Sequence, residues 1–246
     1  MKLFRFHGSL FLAAAVAFLS SCGSGGNEKP AVTDSTAAAD SAAKAQAANT
    51  IVTTPENMVT ITHKVANYDK WLAAYEAHDS ARMAAGLHNY VIGRGVQDSN
   101  MVLVALKVDD TAKARAFSKD PGLRKAMKKG GVVGAPTIFL STETWQDTAH
   151  LDPTVIRSMV SLTVKDWDAF MKSFEDGKQE RADNGIMARV VGHDLDDNKK
   201  VAVVVALSDT AKAFAYYRSD TFKKRIESGT VVGQPVRFLF HIVKRY

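Results

Sequence analysis

Residues 65–145 align with residues 164–244 at a constant offset of 99, without a gap, and about 24 of the 81 pairs are identical. Asp110-Thr111-Ala112-Lys113-Ala114 matches Asp209-Thr210-Ala211-Lys212-Ala213, and the Gly-Gly-Val-Val-Gly-Ala-Pro run at 130–136 matches Gly-Thr-Val-Val-Gly-Gln-Pro at 229–235. A match that long is a tandem duplication, so both halves of the chain have to adopt one fold.

Two copies sharpen each element. Residues 58–65 and 159–164 alternate apolar side chains with Thr, Ser or Lys and predict a first strand. Asn67 and Asp166 are N-cap residues, with Asp69 and Asp168 placed to favour the helix dipole. The helix they open carries Tyr68, Trp71, Leu72 and Tyr75 in one copy and Trp167, Phe170, Met171 and Phe174 in the other, one apolar stripe at helical spacing. Gly86 and Gly185 end that helix. A hairpin follows at 87–96 and 101–108, repeated at 186–195 and 201–207. Asp110 and Asp209 cap a second helix that ends at Gly130 and Gly229, and Pro136 and Pro235 introduce a last strand. The order is β-α-β-β-α-β, twice.

Each such unit is a four-stranded sheet with two helices on one face and nothing on the other. Two units in one chain can cover their bare faces with each other. The residues Tyr68-Asp69-Lys70-Trp71, the cap at Asp110-Thr111-Ala112-Lys113 and the run Gly-Val-Val-Gly-Ala-Pro-Thr-Ile-Phe-Leu at 131–140, with their second-copy equivalents, resemble the dimeric α/β-barrel superfamily. That ferredoxin-like group includes antibiotic biosynthesis monooxygenase-type domains, haem-degrading monooxygenases and two-copy chlorite dismutases. The resemblance covers nearly all of residues 58–246. It implies an α+β fold, two tandem ferredoxin-like βαββαβ units packed as an intrachain pseudo-dimeric α/β barrel. It does not single out an activity, because members range from cofactor-free oxygenases to haem enzymes.

The ends add a location. Lys2 and Arg5 precede an apolar run at residues 10–19, and Leu19-Ser20-Ser21-Cys22 resembles a bacterial lipobox. Residues 1–21 are thus expected to be a lipoprotein signal peptide and Cys22 the acylated N-terminus, anchored by lipid without a spanning helix. Gly23, rather than Asp, after the cysteine favours the outer membrane by the sorting rule of enteric bacteria, with the protein facing the periplasm. Residues 22–56 are Gly, Ser, Ala, Thr and Asp with almost no large apolar residue before Ile51, a flexible tether by composition. The first unit is then 57–148 and the second 149–246.

Cys22 is the only cysteine, which excludes disulfides, cysteine nucleophiles and cysteine-based zinc sites. The formal charge of +6 includes Lys2 and Arg5 and is spread rather than striped, so nucleic acid is not an expected partner. The histidines have no metal-ligand spacing. Asp194-Leu195-Asp196-Asp197-Asn198 starts like a calcium loop, but Lys199 and Val205 stand where glycine and a bidentate Glu are needed, so it reads as a hairpin turn. Haem-binding relatives place a histidine on the helix before the last strand; residues 111–129 and 210–228 contain none. No metal and no cofactor are expected.

The candidate ligand site lies under the first helix of the first copy: Trp71, Tyr75 and His63, with Arg82 at the mouth and Tyr90 on a facing strand. The second-copy equivalent has Phe170 and Phe174 as walls and Arg181 and Arg189 as polar groups, suiting a more acidic ligand. Arg82 and Arg181 are equivalent, which fits a structural role in both copies. Arg189 with His193, and Arg237 with His241, are each four residues apart and so expected on one face of a strand. The second and last strands are the edges of the ferredoxin-like sheet, and the resemblance to the family barrels implies that opposite edges meet, bringing Arg237 and His241 toward Tyr90 and Arg94 as a solvated rim or a ligand site. The favoured reading is a module binding a small, partly apolar molecule. A cofactor-independent monooxygenase-like enzyme and a scaffold without ligand are the alternatives. No nucleophile with a base and an orienting group supports catalysis.

Replacing Cys22 with Ser should release the protein from membranes or block its processing, as read by fractionation and the mass of the N-terminal peptide. Normal cleavage together with unchanged membrane retention would refute the anchor.

Overall fold

A computed structural model describes residues 50–228 and 231–246, all in one compact unit. The expected signal peptide, the expected acylation site Cys22, the expected tether up to residue 49 and the expected helix end at Gly229 lie outside the described residues. The first half consists of β1 (Ile51–Val52), β2 (Glu56–Val65), α1 (Tyr68–Glu76), α2 (Asp79–Ala84), β3 (Leu87–Gly95), β4 (Met101–Val108), α3 (Thr111–Ser118), α4 (Pro121–Gly130) and β5 (Val132–Asp147). The second half has β6 (Ile156–Val164), α5 (Trp167–Asp176), α6 (Lys178–Asp183), β7 (Ile186–Asp194), β8 (Lys200–Leu207), α7 (Thr210–Arg218), α8 (Asp220–Ser228) and β9 (Val231–Arg245).

The strands run in the order β5-β2-β4-β3-β9-β6-β8-β7, and β7 pairs again with β5, so the sheet closes on itself. Every pairing is antiparallel. The second strand of each half pairs with the last strand of the other: Arg94 lies opposite His241, and Thr142 opposite His193. This is the ferredoxin-like α/β barrel closed within one chain. The inner faces meet in a core of Met58, Val91, Leu103, Ala105 and Phe240. The outer faces pack under the helices in two further cores, one around Trp71, Ile92, Val104 and Leu106, the other around Phe170, Val191, Val203 and Tyr216.

The caps act as the sequence requires. Asn67 accepts from the Lys70 N–H, Asp110 from Ala112 and Lys113, Asp166 from Ala169 and Asp209 from Lys212, all at 2.8–3.0 Å. Gly86 and Gly185 take φ of 68° and 69°, the left-handed conformation that a side chain resists.

Three features depart from the sequence reading. Each expected helix is two. Asp120 caps α4 with Pro121 in its first turn, because a proline supplies no N–H and disfavours helix in the residue before it. Ser219 makes the corresponding break in the second half, its hydroxyl accepting from the Phe222 N–H at 3.1 Å. The tether is shorter than expected, since Ile51 and Val52, the first β-branched apolar pair after it, bond to Asp147 and Gln146. The last strands begin at Val132 and Val231, and Pro136 and Pro235 sit inside them where the register to the first strands shifts.

Gly93 and Gly192 stand at the two seams. A Cβ on Gly192 would lie 2.6 Å from the Thr142 carbonyl oxygen and against the Glu143 carboxylate, and one on Gly93 would meet the Phe240 ring at 2.5 Å. Gly192→Ala should therefore lower stability by about 1–3 kcal/mol, seen as a lower urea midpoint with unchanged slope. An unshifted midpoint would mean that the seam is looser than the structure has it.

Candidate functional site

Along β2 the side chains alternate: Met58 and Thr60 face the barrel interior, while Val59, Ile61 and His63 face the helices. Trp71 and Tyr75, one turn apart on α1, stack over this face with ring centres 5.1 Å apart, and the His63 ring lies 5.4 Å from Trp71. Between this face and α1, α3 and α4 is a cavity of about 300 Å³. Its walls include Phe117, Met127, Ile138 and Leu140, and its polar lining residues include His63, Arg82, Ser118 and Asp194. Across the mouth, Arg115 of α3 pairs with Asp196 of the β7–β8 turn at 2.7 Å.

His63 is 7% exposed, and neither ring nitrogen has a hydrogen-bond partner among the described residues. The register shift in β5 falls opposite it, between Thr62 and Lys64, so the neighbouring strand does not close over it in regular pairing. Burial holds the imidazole neutral, with its pKa lowered to about 4.

Arg82 is as buried, at 4% exposure, and its guanidinium lies 3.6 Å from the centre of the Tyr75 ring. It donates to the Tyr75 carbonyl at 2.7 Å and to Asp79 at 3.0 Å. Arg181 does the same one half later, over Phe174 at 3.7 Å and donating to the Phe174 carbonyl at 2.5 Å. Both arginines thus satisfy a carbonyl released where the first helix breaks, a structural role shared by the two halves. The Tyr75 hydroxyl donates to Asn89 at 2.5 Å, and Asn89 donates on to Asp79 at 2.6 Å. Burial pushes the Tyr75 hydroxyl pKa up, so it stays a neutral donor.

The equivalent space in the second half is smaller, about 120 Å³. Phe170, Phe174 and Arg181 line it as expected, but Tyr217 and Arg237 stand where the first half has Ser118 and Ile138. The Arg237 guanidinium stacks on Tyr217 at 3.8 Å and donates to Ser158 at 3.0 Å, filling the volume that the first half leaves open. Leu162 replaces His63.

Three expectations about direction fail for one reason. Register shifts between Asn89 and Val91 and between Ala188 and Val190 make Tyr90 and Arg189 the extra residues of equivalent β-bulges. Both line the barrel interior, so Tyr90 does not face the first cavity and Arg189 does not face the second. The bulge also reverses the parity downstream. Arg94 then stacks over Tyr68 at 4.1 Å, and His193 meets the Trp167 ring edge-on at 4.7 Å, so Arg189 and His193 are on opposite faces. His241 does sit opposite Arg94, whereas Arg237 and Tyr90 go elsewhere.

Sequence reasoning missed Ser118 and Ile138, although a position-by-position comparison of the copies shows both changing size. It also missed Glu143, whose burial raises its pKa to about 7, and Arg157, 3% exposed. Neither has an alternation or motif that marks it. Among the described residues no group of three His, Cys, Asp or Glu could hold a metal ion, and no helix is long and apolar enough to cross a membrane.

No protein-family model and no curated protein matches the sequence. Solved structures do. An anthrone oxidase-like protein superposes with a TM-score of 0.58 at 14% identity, covering 80% of this chain and 95% of that one. A candidate monooxygenase from Fusobacterium nucleatum subsp. nucleatum gives 0.50 at 13%, covering 77% and 93%. A candidate chlorite dismutase gives 0.50 at 12%, covering 77% and 95%. At these identities the likeness is one of fold, and it places the chain among the ferredoxin-like α/β barrels.

The His63 environment has a measurable sign. Its folded pKa of about 4 lies below the ordinary 6.5, so the unfolded chain takes the proton first and stability falls as pH drops from about 6.5 to about 4. Glu143, raised from 4.5 to about 7, acts oppositely, its contribution being lost as pH rises through that range. The two overlap, so the parent must be compared with His63→Leu, in which Glu143 is unchanged. The parent should lose about 3 kcal/mol relative to the variant between pH 6.5 and 4. Parallel curves in urea titrations across that range would contradict a buried neutral imidazole.

Proposed function

We propose that this protein binds a small, partly apolar molecule in the cavity between β2, α1, α3 and α4 of the first half, with His63 as its polar anchor. One observation carries this reading: a buried imidazole with both nitrogens unpartnered faces an apolar cavity of about 300 Å³. A buried polar group without a partner costs about 1–3 kcal/mol, and a ligand's hydroxyl or carbonyl would offset that cost. The volume is about twice that of a cavity known to hold one benzene, so the ligand has the bulk of about two rings. Trp71, Tyr75 and Phe117 supply flat walls for it.

The names of the structural neighbours suggest oxygenase chemistry, and a cofactor-independent enzyme of that kind would need a base near its substrate. An imidazole held near 4 is a weak base at neutral pH. His63 suits a hydrogen-bonding anchor better than a general base. We also infer from the lipobox-like run ending at Cys22 that this body is tethered by lipid at the periplasmic face of the outer membrane.

The test is mass spectrometry of small molecules released from the purified full-length chain. The parent should retain a compound with an apolar body and a hydroxyl or carbonyl. Occupancy should fall at least tenfold in His63→Leu and vanish in the Ser118→Tyr/Ile138→Arg double variant, which copies the filled second half. If parent and variants are equally empty, and an added set of hydroxylated bicyclic aromatics shifts the melting of none, the scaffold reading replaces this one.

A further inference from the structure

The barrel interior holds a second, separate cavity of about 100 Å³ that the first half's cavity does not use. It lies toward the end where β5 and β9 finish and β6 begins. Its floor is apolar: Met58, Leu103, Val204 and Phe240. Its rim is cationic. Arg157, the second residue of β6, is 3% exposed and donates one nitrogen to the Val155 carbonyl at 2.5 Å and the Asp152 carbonyl at 3.3 Å. Arg189, brought inward by its bulge, pairs with Asp147 at 2.7 Å and donates to the Ala149 carbonyl. Arg245, the last residue of β9, pairs through its backbone with Val91, and its side chain has no hydrogen bond or ion pair among the described residues.

These guanidiniums are close enough to repel one another. Burial, then Arg245, then Arg189 lower the pKa of Arg157 against the pull of Asp152, and burial and Arg245 lower that of Arg189 against the pull of Asp147. Three positive charges thus meet two carboxylates, Asp147 and Asp152, while burial pushes the pKa of Glu143 on the same wall up to about 7. Gathering more positive than negative charge around an apolar hollow is unfavourable. An anion with an apolar tail removes the imbalance and fills the hollow.

We propose that this end of the barrel is a second ligand site, for a short-chain organic carboxylate. The guanidiniums of Arg157 and Arg245 hold its head group, and its chain enters the apolar interior. A planar guanidinium matches a carboxylate in two parallel hydrogen bonds. Scaled from the cavity that holds benzene, this one takes a chain of about four carbons. Inorganic phosphate has the charge but nothing to place on Met58 and Phe240.

The test titrates butyrate, butyramide and inorganic phosphate into the full-length chain by calorimetry. Butyrate should bind with one-to-one stoichiometry, and butyramide and phosphate should give no saturable heat. Arg245→Gln, at an exposed strand end, should weaken butyrate at least tenfold with an unchanged melting temperature. The Ser118→Tyr/Ile138→Arg double variant, which fills the other cavity, should bind butyrate as the parent does. The proposal falls if the parent shows no saturable butyrate binding, if butyramide or phosphate binds as tightly, or if Arg245→Gln leaves affinity unchanged. It falls also if the double variant loses butyrate, which would place the acid beside His63 and leave the first reading standing.

Discussion

Pairing of the free strand edges, β3 with β9 and β5 with β7, is the constraint on which the rest of this structure depends. A four-stranded sheet with helices on one side has two edges of unpaired N–H and C=O groups and one bare apolar face. Closing the two sheets into one barrel satisfies the edges and buries Met58, Leu103 and Phe240 at once. The closure in turn dictates local chemistry. Gly93 and Gly192 are needed because the facing strand passes where a side chain would be. The bulges at Tyr90 and Arg189 bend each second strand into its seam and decide which side chains enter the barrel.

The scaffold is symmetric where the closure demands it and asymmetric where it does not. The helix caps, the seam glycines, the bulges and the arginine that satisfies the helix break occur in both halves. Among the differences between the two outer cavities, three pairs change polarity or add bulk most: His63 against Leu162, Ser118 against Tyr217, Ile138 against Arg237. In the second half the Tyr217–Arg237 stack supplies the missing bulk. In the first half nothing does, and the volume stays open.

What could be read from the sequence follows the same division. Much of what is repeated was legible: the element order, the caps and the left-handed glycines, with the edge-to-edge arrangement following from the resemblance. Trp71, Tyr75, His63 and Arg82 could be gathered because helical spacing and strand alternation both point them at one space. Tyr90, Arg189 and His193 were misplaced because a single inserted residue reverses strand parity, and a bulge in a run such as Leu-His-Asn-Tyr-Val-Ile leaves no mark in composition. Glu143 and Arg157 were missed for a related reason. Polar residues on a strand read as outward-facing, whereas a closed barrel has an inside that can hold polar groups near its ends.

The second half also bears on why His63 exists. At the equivalent position it carries Leu162, packed in a core with the same strands and the same helix. The fold therefore accepts an apolar residue there, and the imidazole is not required to close a hydrogen-bond network, since it belongs to none. Against a total stability of about 5–15 kcal/mol, an unpartnered buried ring that the scaffold could do without is a standing cost. Arg82 gives the contrast: equally buried, it is matched by Arg181, stacked, paired and bonded to a carbonyl, and its presence is explained by the helix break alone. Apart from its ring contact with Trp71, His63 has none of those explanations among the described residues, and that is what supports the proposed ligand in the open volume in front of it.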